Sequence, residues 1–129
     1  MPTVKQIMSK DIEKVSIDAS VKDVAKTMAE KKVGSVLIED SGNLIGIVTE
    51  TDIVRKVVGQ DVSLQDTLAS KIMNAPVLTI DAEATILDAN DMMDKHNIRH
   101  LAVKEEDNIV GVISVRDIIH PVNLDEEPY

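Results

Sequence analysis

Two seven-residue stretches decide how this chain folds: Gly46-Ile47-Val48-Thr49-Glu50-Thr51-Asp52 and Gly111-Val112-Ile113-Ser114-Val115-Arg116-Asp117, set 65 residues apart in a chain of 129. In each, a β-branched apolar run ends at a hydroxyl residue, and an aspartate follows three places later. That is a strand running into a capped helix. The hydroxyl accepts from a free backbone N–H of the first turn, and the carboxylate sits at the positive helix end. The spacing predicts helices starting at Thr49 and Ser114, with Asp52 and Asp117 at the third helical position.

Outward from these stretches the offset holds without a gap. Ile7-Met8 falls on Ile72-Met73, Val15 on Ile80, Val21 on Ile86, Asp23 on Asp88, Met28 on Met93, Val33 on Ile98 and Asn43 on Asn108. Two copies of one supersecondary unit are the economical reading. Residues 15–17 and 77–80 are short β-branched stretches and read as first strands. Ser20 with Asp23, and Thr85 with Asp88, then form capping-box starts. Val21, Val24, Ala25 and Met28, echoed by Ile86, Ala89 and Met93, give each following helix one buried face. Val36-Leu37-Ile38 and Leu44-Ile45-Gly46-Ile47-Val48, split by Asp40-Ser41-Gly42-Asn43, read as a hairpin of buried strands. Leu101-Ala102-Val103 and residues 109–113, split by Glu105-Glu106-Asp107-Asn108, repeat it. Ile53, Val54, Val57 and Val58 supply the apolar residues of the second helix in copy one; in copy two Ile118 and Ile119 do so before Pro121 stops it. Each unit reads strand, helix, strand, strand, helix, behind a short leading segment at 4–8 or 68–73. The boundaries are 1–59 for the first unit, 60–70 for a polar connector anchored by Val62, Leu64 and Leu68, 71–122 for the second unit, and 123–129 for an acidic tail.

Composition narrows the function classes. Hydrophobic residues at 43% and charged residues at 29% match an ordinary soluble domain, neither disordered nor fibrous. A chain of this length buries roughly 65% of its unfolded surface. Tyr129 is the only aromatic residue, so the core is aliphatic and no platform exists for stacking bases. Fourteen Lys and Arg against 23 Asp and Glu give a net charge of −9, which opposes general affinity for nucleic acid or an anionic membrane. With no Cys, disulfides, thiolate nucleophiles and Cys-based zinc sites are excluded. Residues 1–10 lack an apolar signal-peptide core, and no segment approaches the roughly 20 apolar residues of a membrane span, which predicts a cytoplasmic protein. No paired nucleophile and base, Gly-rich phosphate loop or metal cluster appears, so an enzyme is not expected. His96 and His100 are four apart near Asp91 and Asp94, but the strand expected at Ile98 breaks that spacing, and no metal site is read there. Met28, Met92 and Met93 read as core filler.

Two β-α-β-β-α units, each opening with Ile-Met and closing with Gly-x-x-Thr/Ser-x-x-Asp, resemble a tandem pair of cystathionine-β-synthase (CBS) domains, the Bateman module. The resemblance covers nearly the whole chain and implies an α+β fold of two pseudo-symmetric units packed sheet to sheet, leaving two clefts. It implies a non-catalytic regulatory module whose clefts bind adenosyl ligands: AMP, ADP or ATP, with S-adenosylmethionine or NAD as further possibilities. By resemblance Asp52 and Asp117 accept from ribose hydroxyls, while Thr49, Ser114 and the helix N-termini offer donors to phosphate. Adenine walls, again by resemblance, come from Lys14 and Val15 or Thr79 and Ile80, and from Val36 or Leu101. In the family the clefts adjoin, so residues of one unit can reach the ligand of the other.

The two sites are not expected to be equal. Copy two places Arg99-His100 before its second strand and Arg116 inside its closing motif, where copy one has Gly34-Ser35 and Thr51. Arg99-His100 resembles the basic pair that some nucleotide-sensing members direct at phosphates. A phosphorylated ligand is therefore expected at Asp117, and a ligand without phosphate, or none, at Asp52. No effector domain is read in the chain, so the expected partner is an effector protein or another copy of the chain itself. The resemblance also implies a homodimer through helices, with Val57 and Val58 as apolar residues to cover. The alternative is an interaction or oligomerisation module with no physiological nucleotide; a nucleic-acid-binding variant is least favoured by charge and composition.

Overall fold

The computed structural model describes residues 1–121, and the acidic tail read at 123–129 lies outside them. Along the chain run α1 (Val4–Ile7), β1 (Lys14–Ser16), α2 (Val21–Lys31), β2 (Ser35–Asp40), β3 (Asn43–Thr49), α3 (Glu50–Lys56), β4 (Thr79–Asp81), α4 (Ile86–His96), β5 (His100–Glu105), β6 (Asn108–Ser114) and α5 (Val115–Ile119). Two three-stranded sheets form, in the orders β1-β2-β3 and β4-β5-β6. In each the first pair is parallel and the second antiparallel. The α+β class and the doubled β-α-β-β-α unit are thus as the sequence reads.

Local chemistry explains the elements. Ser20 and Thr85 cap α2 and α4 with complete capping boxes, each hydroxyl accepting from the aspartate three residues on. Both helices end on a left-handed residue, Lys32 (φ 57°) and its counterpart Asn97 (φ 53°). Val21, Val24 and Met28 of α2, and Ala89 and Met93 of α4, are buried in two aliphatic cores. Asp40 pairs with Asn43, leaving the two-residue loop Ser41-Gly42. Both loop residues have positive φ (52° and 84°), the backbone twist that suits a tight hairpin. The first strands pair over only three residues each, so they occupy 14–16 and 79–81 rather than 15–17 and 77–80.

The leading segments are exchanged between repeats. One compact unit is Glu13–Val77; the other joins Met1–Ile12 to the described residues from Leu78 onward. Val4, Ile7 and Met8 thus lie in a core with Ile80, Leu101, Val103 and Ile113. Val4 N–H donates to the Ala84 carbonyl at 2.7 Å, and the Lys5 ammonium meets Glu105 at 2.7 Å. That hydrogen bond, with the Glu105 charge, raises the Lys5 pKa above its ordinary value. In the other unit Ala69 and Ile72 join Val21, Val36, Val48 and Val57. Both repeats present the same groove, so a repeat pattern alone is silent about which one a leading segment fills.

Two readings of the connector change. Val62, Leu64 and Leu68 are exposed and belong to neither aliphatic core; backbone bonds hold the stretch, from Val21 N–H to Thr67 O, Lys22 N–H to Leu64 O and Ala69 N–H to Ala19 O. The helix of copy one ends at Lys56, and a 3-10 turn follows at Val58–Gln60. Val57 is fully buried in its own unit, so it is not a residue awaiting a second copy.

Each exchanged segment runs hard against a glycine. A Cβ at Gly111 would stand 2.7 Å from the Ser9 carbonyl oxygen and 2.5 Å from Met8 Sδ; one at Gly46 would stand 3.2 Å from the Asn74 carbonyl and 2.5 Å from Met73 Sδ. A thioether can move aside, but a bonded backbone cannot. Gly111→Ala is therefore expected to destabilise by about 1–3 kcal/mol in urea unfolding, as overpacking does, and Gly46→Ala by less. The reverse order would refute the backbone-clash account. Ile7→Ala, a loss of about 2–5 kcal/mol, should accelerate native-state hydrogen exchange in β5 and β6. If β2 and β3 respond instead, the exchange of segments is wrong.

Candidate functional site

At one end of the β4-β5-β6 sheet three elements meet. His100 opens β5 directly opposite Ser114, which closes β6 and caps α5. The Arg99 carbonyl accepts from Val115 N–H at 3.0 Å, holding the first turn of α5 against the start of β5. Arg99, His100, Ser114, Arg116 and Asp117 are thus brought to one edge by backbone pairing alone. Asp117 Oδ2 accepts from Ser114 N–H at 2.8 Å, and Ser114 Oγ accepts from Asp117 N–H at 3.2 Å. Asp117 Oδ1 has no hydrogen-bond partner among the described residues. Arg99 and Arg116 are exposed, and neither has a carboxylate within ion-pair distance among the described residues. His100 is half-buried and already engaged. Because α5 has only five residues, its dipole is small, and the positive charge at this edge resides in the two guanidinium groups.

The same frame recurs in the other unit with different chemistry. Glu50 N–H donates to the Gly34 carbonyl at 3.1 Å, and Ser35 stands opposite Thr49. Here the carboxylate is engaged at both oxygens. Asp52 Oδ2 accepts from Thr49 N–H (2.9 Å), Thr49 Oγ1 (3.1 Å) and Asn74 Nδ2 (2.9 Å). Asp52 Oδ1 pairs with Lys56 Nζ at 3.1 Å, and the side chain is 8% exposed. Lys56 Nζ also donates to the Ile72 carbonyl at 2.9 Å and to Asn74 Oδ1 at 3.2 Å. One offset away, Lys56 and Asn74 correspond to Pro121 and Ser9. Lys56 could have been found from its i,i+4 spacing to Asp52, a favourable orientation for an ion pair. Asn74 could not, because it reaches Asp52 only through the exchanged segment.

The remaining candidates divide by burial. Lys14 is exposed at the start of β1 and pairs with Glu39 at 3.3 Å; Val15 and Thr79 are half-buried. Val36, Ile80 and Leu101 have their side chains in the aliphatic cores of their own units, so what they present outward is backbone. His96 ends α4 and His100 begins β5, so the pair does not share a helix face. Among the described residues no three His, Asp or Glu gather as a metal site, and no helix is long and apolar enough to cross a membrane.

A family model described as the CBS domain matches residues 4–59 and again 69–123. The CBS domain-containing protein YhcV of Bacillus subtilis is 27% identical over 118 residues, covering 92% of this chain and 84% of its own. A CBS-domain protein of Burkholderia ambifaria has a solved structure that superposes with a TM-score of 0.88 at 34% identity, covering 99% of this chain and 98% of its own. The hexameric CBS-CP12 protein of bloom-forming cyanobacteria gives a TM-score of 0.87 at 29% identity, over 93% of this chain and 70% of its own. Both matched segments carry the capped closing motif and the three-stranded sheet described above; the chain belongs to the CBS-domain family, as a tandem pair of a generally regulatory, non-catalytic kind.

Proposed function

We propose that the chain is a cytoplasmic, non-catalytic regulatory module that senses an adenine nucleotide of the AMP, ADP or ATP class at Asp117 and passes its occupancy to an effector protein. The observation that carries the reading is the half-used Asp117 carboxylate: Oδ2 is fixed by Ser114 N–H, while Oδ1 has no partner among the described residues. A ribose brings two neighbouring hydroxyl donors, and a pre-oriented carboxylate accepts both with charge-assisted bonds. Arg99 and Arg116, unpaired among the described residues, suit phosphate oxygens through their planar donor forks. S-adenosylmethionine would use the ribose contact but brings a single carboxylate to two arginines, which favours a phosphorylated ligand. NAD would engage them through its pyrophosphate and belongs in the same screen. Signalling follows if nucleotide binds one arrangement of the protein better than another and the effector reads that difference.

A homodimer is part of the proposal. Val54 and Val58 are 61% and 57% exposed, four residues apart. The same pair favours the second reading, an interaction module without nucleotide.

Thermal-shift measurement against AMP, ADP, ATP, NAD, S-adenosylmethionine and GTP separates the readings. A nucleotide at a hundred times its Kd is expected to add about 2.7 kcal/mol to the native state and raise Tm. Asp117→Ala should abolish that rise while costing about 1 kcal/mol of intrinsic stability through the lost cap. A ligand shift that survives Asp117→Ala removes the ribose assignment; no shift with any ligand, confirmed by equilibrium dialysis, leaves the interaction module. In sedimentation equilibrium the wild type should run at twice the chain mass, and Val54→Glu with Val58→Glu at one chain mass. A monomeric wild type ends the dimer proposal.

A further inference from the structure

We propose that Lys56 and Asn74 close the Asp52 site to a ribose, so that each chain holds one nucleotide, at Asp117, and none at Asp52. The count of one rests on the reading of Asp117 given above; the closure rests on geometry independent of it. An ionised carboxylate offers about four acceptor positions, two on each oxygen. At Asp52 three donors converge on Oδ2 within 3.1 Å, and the Lys56 ammonium takes Oδ1. By that count one position is left, on Oδ1, so a ribose diol with its two donors would have to displace Lys56 or Asn74, and each is held by further bonds. Lys56 Nζ is bonded to the Ile72 carbonyl, and Asn74 is fixed by its backbone pairing with Ile47 at 3.0 and 2.9 Å. At the equivalent position of the other unit Ser9 makes the same backbone pairing with Val112, at 2.8 and 2.9 Å, and its shorter side chain donates nothing to Asp117. Pro121, in the place of Lys56, has no charge to offer. The two carboxylates are thus the same cap in the same frame, one of them engaged from within.

Equilibrium dialysis of the full chain with radiolabelled AMP, and separately ATP, counts the sites. The wild type should bind one nucleotide, Asp117→Asn none, and Asp52→Asn one with unchanged affinity. Lys56→Met combined with Asn74→Ser, which gives the first repeat the serine found at Ser9, should bind two. Two nucleotides on the wild type, a count lowered by Asp52→Asn, or a folded double variant still at one each overturn the closure. A wild type that binds none while the double variant binds one retains the closure and rejects the Asp117 reading; none on either rejects both. Circular dichroism melting establishes that the double variant folds; if it does not, the wild-type and Asp52→Asn counts decide.

Discussion

Backbone lying against backbone at Gly46 and Gly111 is the constraint from which the rest of each unit follows. β3 and β6 are the outer strands of their sheets. An outer strand leaves a row of amide and carbonyl groups without partners, which a protein must cover. Here the exchanged segments cover part of it: Asn74 bonds to Ile47 and Ser9 to Val112, in both directions. The glycine one residue before each bridge admits that approach, because any side chain there would meet a carbonyl or a thioether. Once the bridge forms, Val4 and Ile7, or Ala69 and Ile72, fall into the aliphatic core beneath the sheet. Core closure and site chemistry then share one cause, since the bridge that seals the edge also delivers Asn74 to Asp52.

Most of the fold was legible because its signals are local. Ser20, Thr49, Thr85 and Ser114 each accept from the amide of an aspartate three residues on. Each is visible as a hydroxyl, two intervening residues and a carboxylate. The hairpins were visible as apolar runs broken by polar residues. What was not legible depends on pairing at a distance. The exchange of leading segments leaves no mark in a repeat whose two grooves are alike. Val57 looked like surplus apolar surface on a helix, but α3 stops at Lys56 and the chain turns inward there. Val62, Leu64 and Leu68 looked like anchors by hydropathy, yet backbone amides do the anchoring in that stretch.

Charge distribution separates the two site edges more sharply than shape does. The chain carries a net charge of −9, so a phosphate approaching it meets repulsion at long range that is screened beyond roughly 8 Å at physiological salt. Holding the phosphate then depends on local cations that are not already neutralised. Arg99 and Arg116 meet that condition among the described residues, whereas Lys5, Lys14 and Lys56 are each bound to a carboxylate. Lys56 in particular cannot serve a phosphate and Asp52 at once. The first repeat's Lys56 is therefore committed to its own carboxylate.

The aspartate of the closing motif has two possible roles, and the motif alone cannot divide them. As a cap, it needs one oxygen toward the N–H at the helix start, and both Asp52 and Asp117 supply Oδ2 for that purpose. As a ligand acceptor, it needs the other oxygen unoccupied. Capping therefore accounts for an aspartate in both copies, because each closing helix is short and depends on its first turn being satisfied. Residues outside the motif decide how far Asp52 is taken up: Lys56, four places on, holds Oδ1, and Asn74, brought in by the exchanged segment, adds a further donor to Oδ2, whereas neither has a counterpart at Asp117 among the described residues. The two repeats present the same frame, and Lys56 and Asn74 make them unequal without altering the motif, which is why the inequality is found in the contacts of the carboxylate and not in the motif itself.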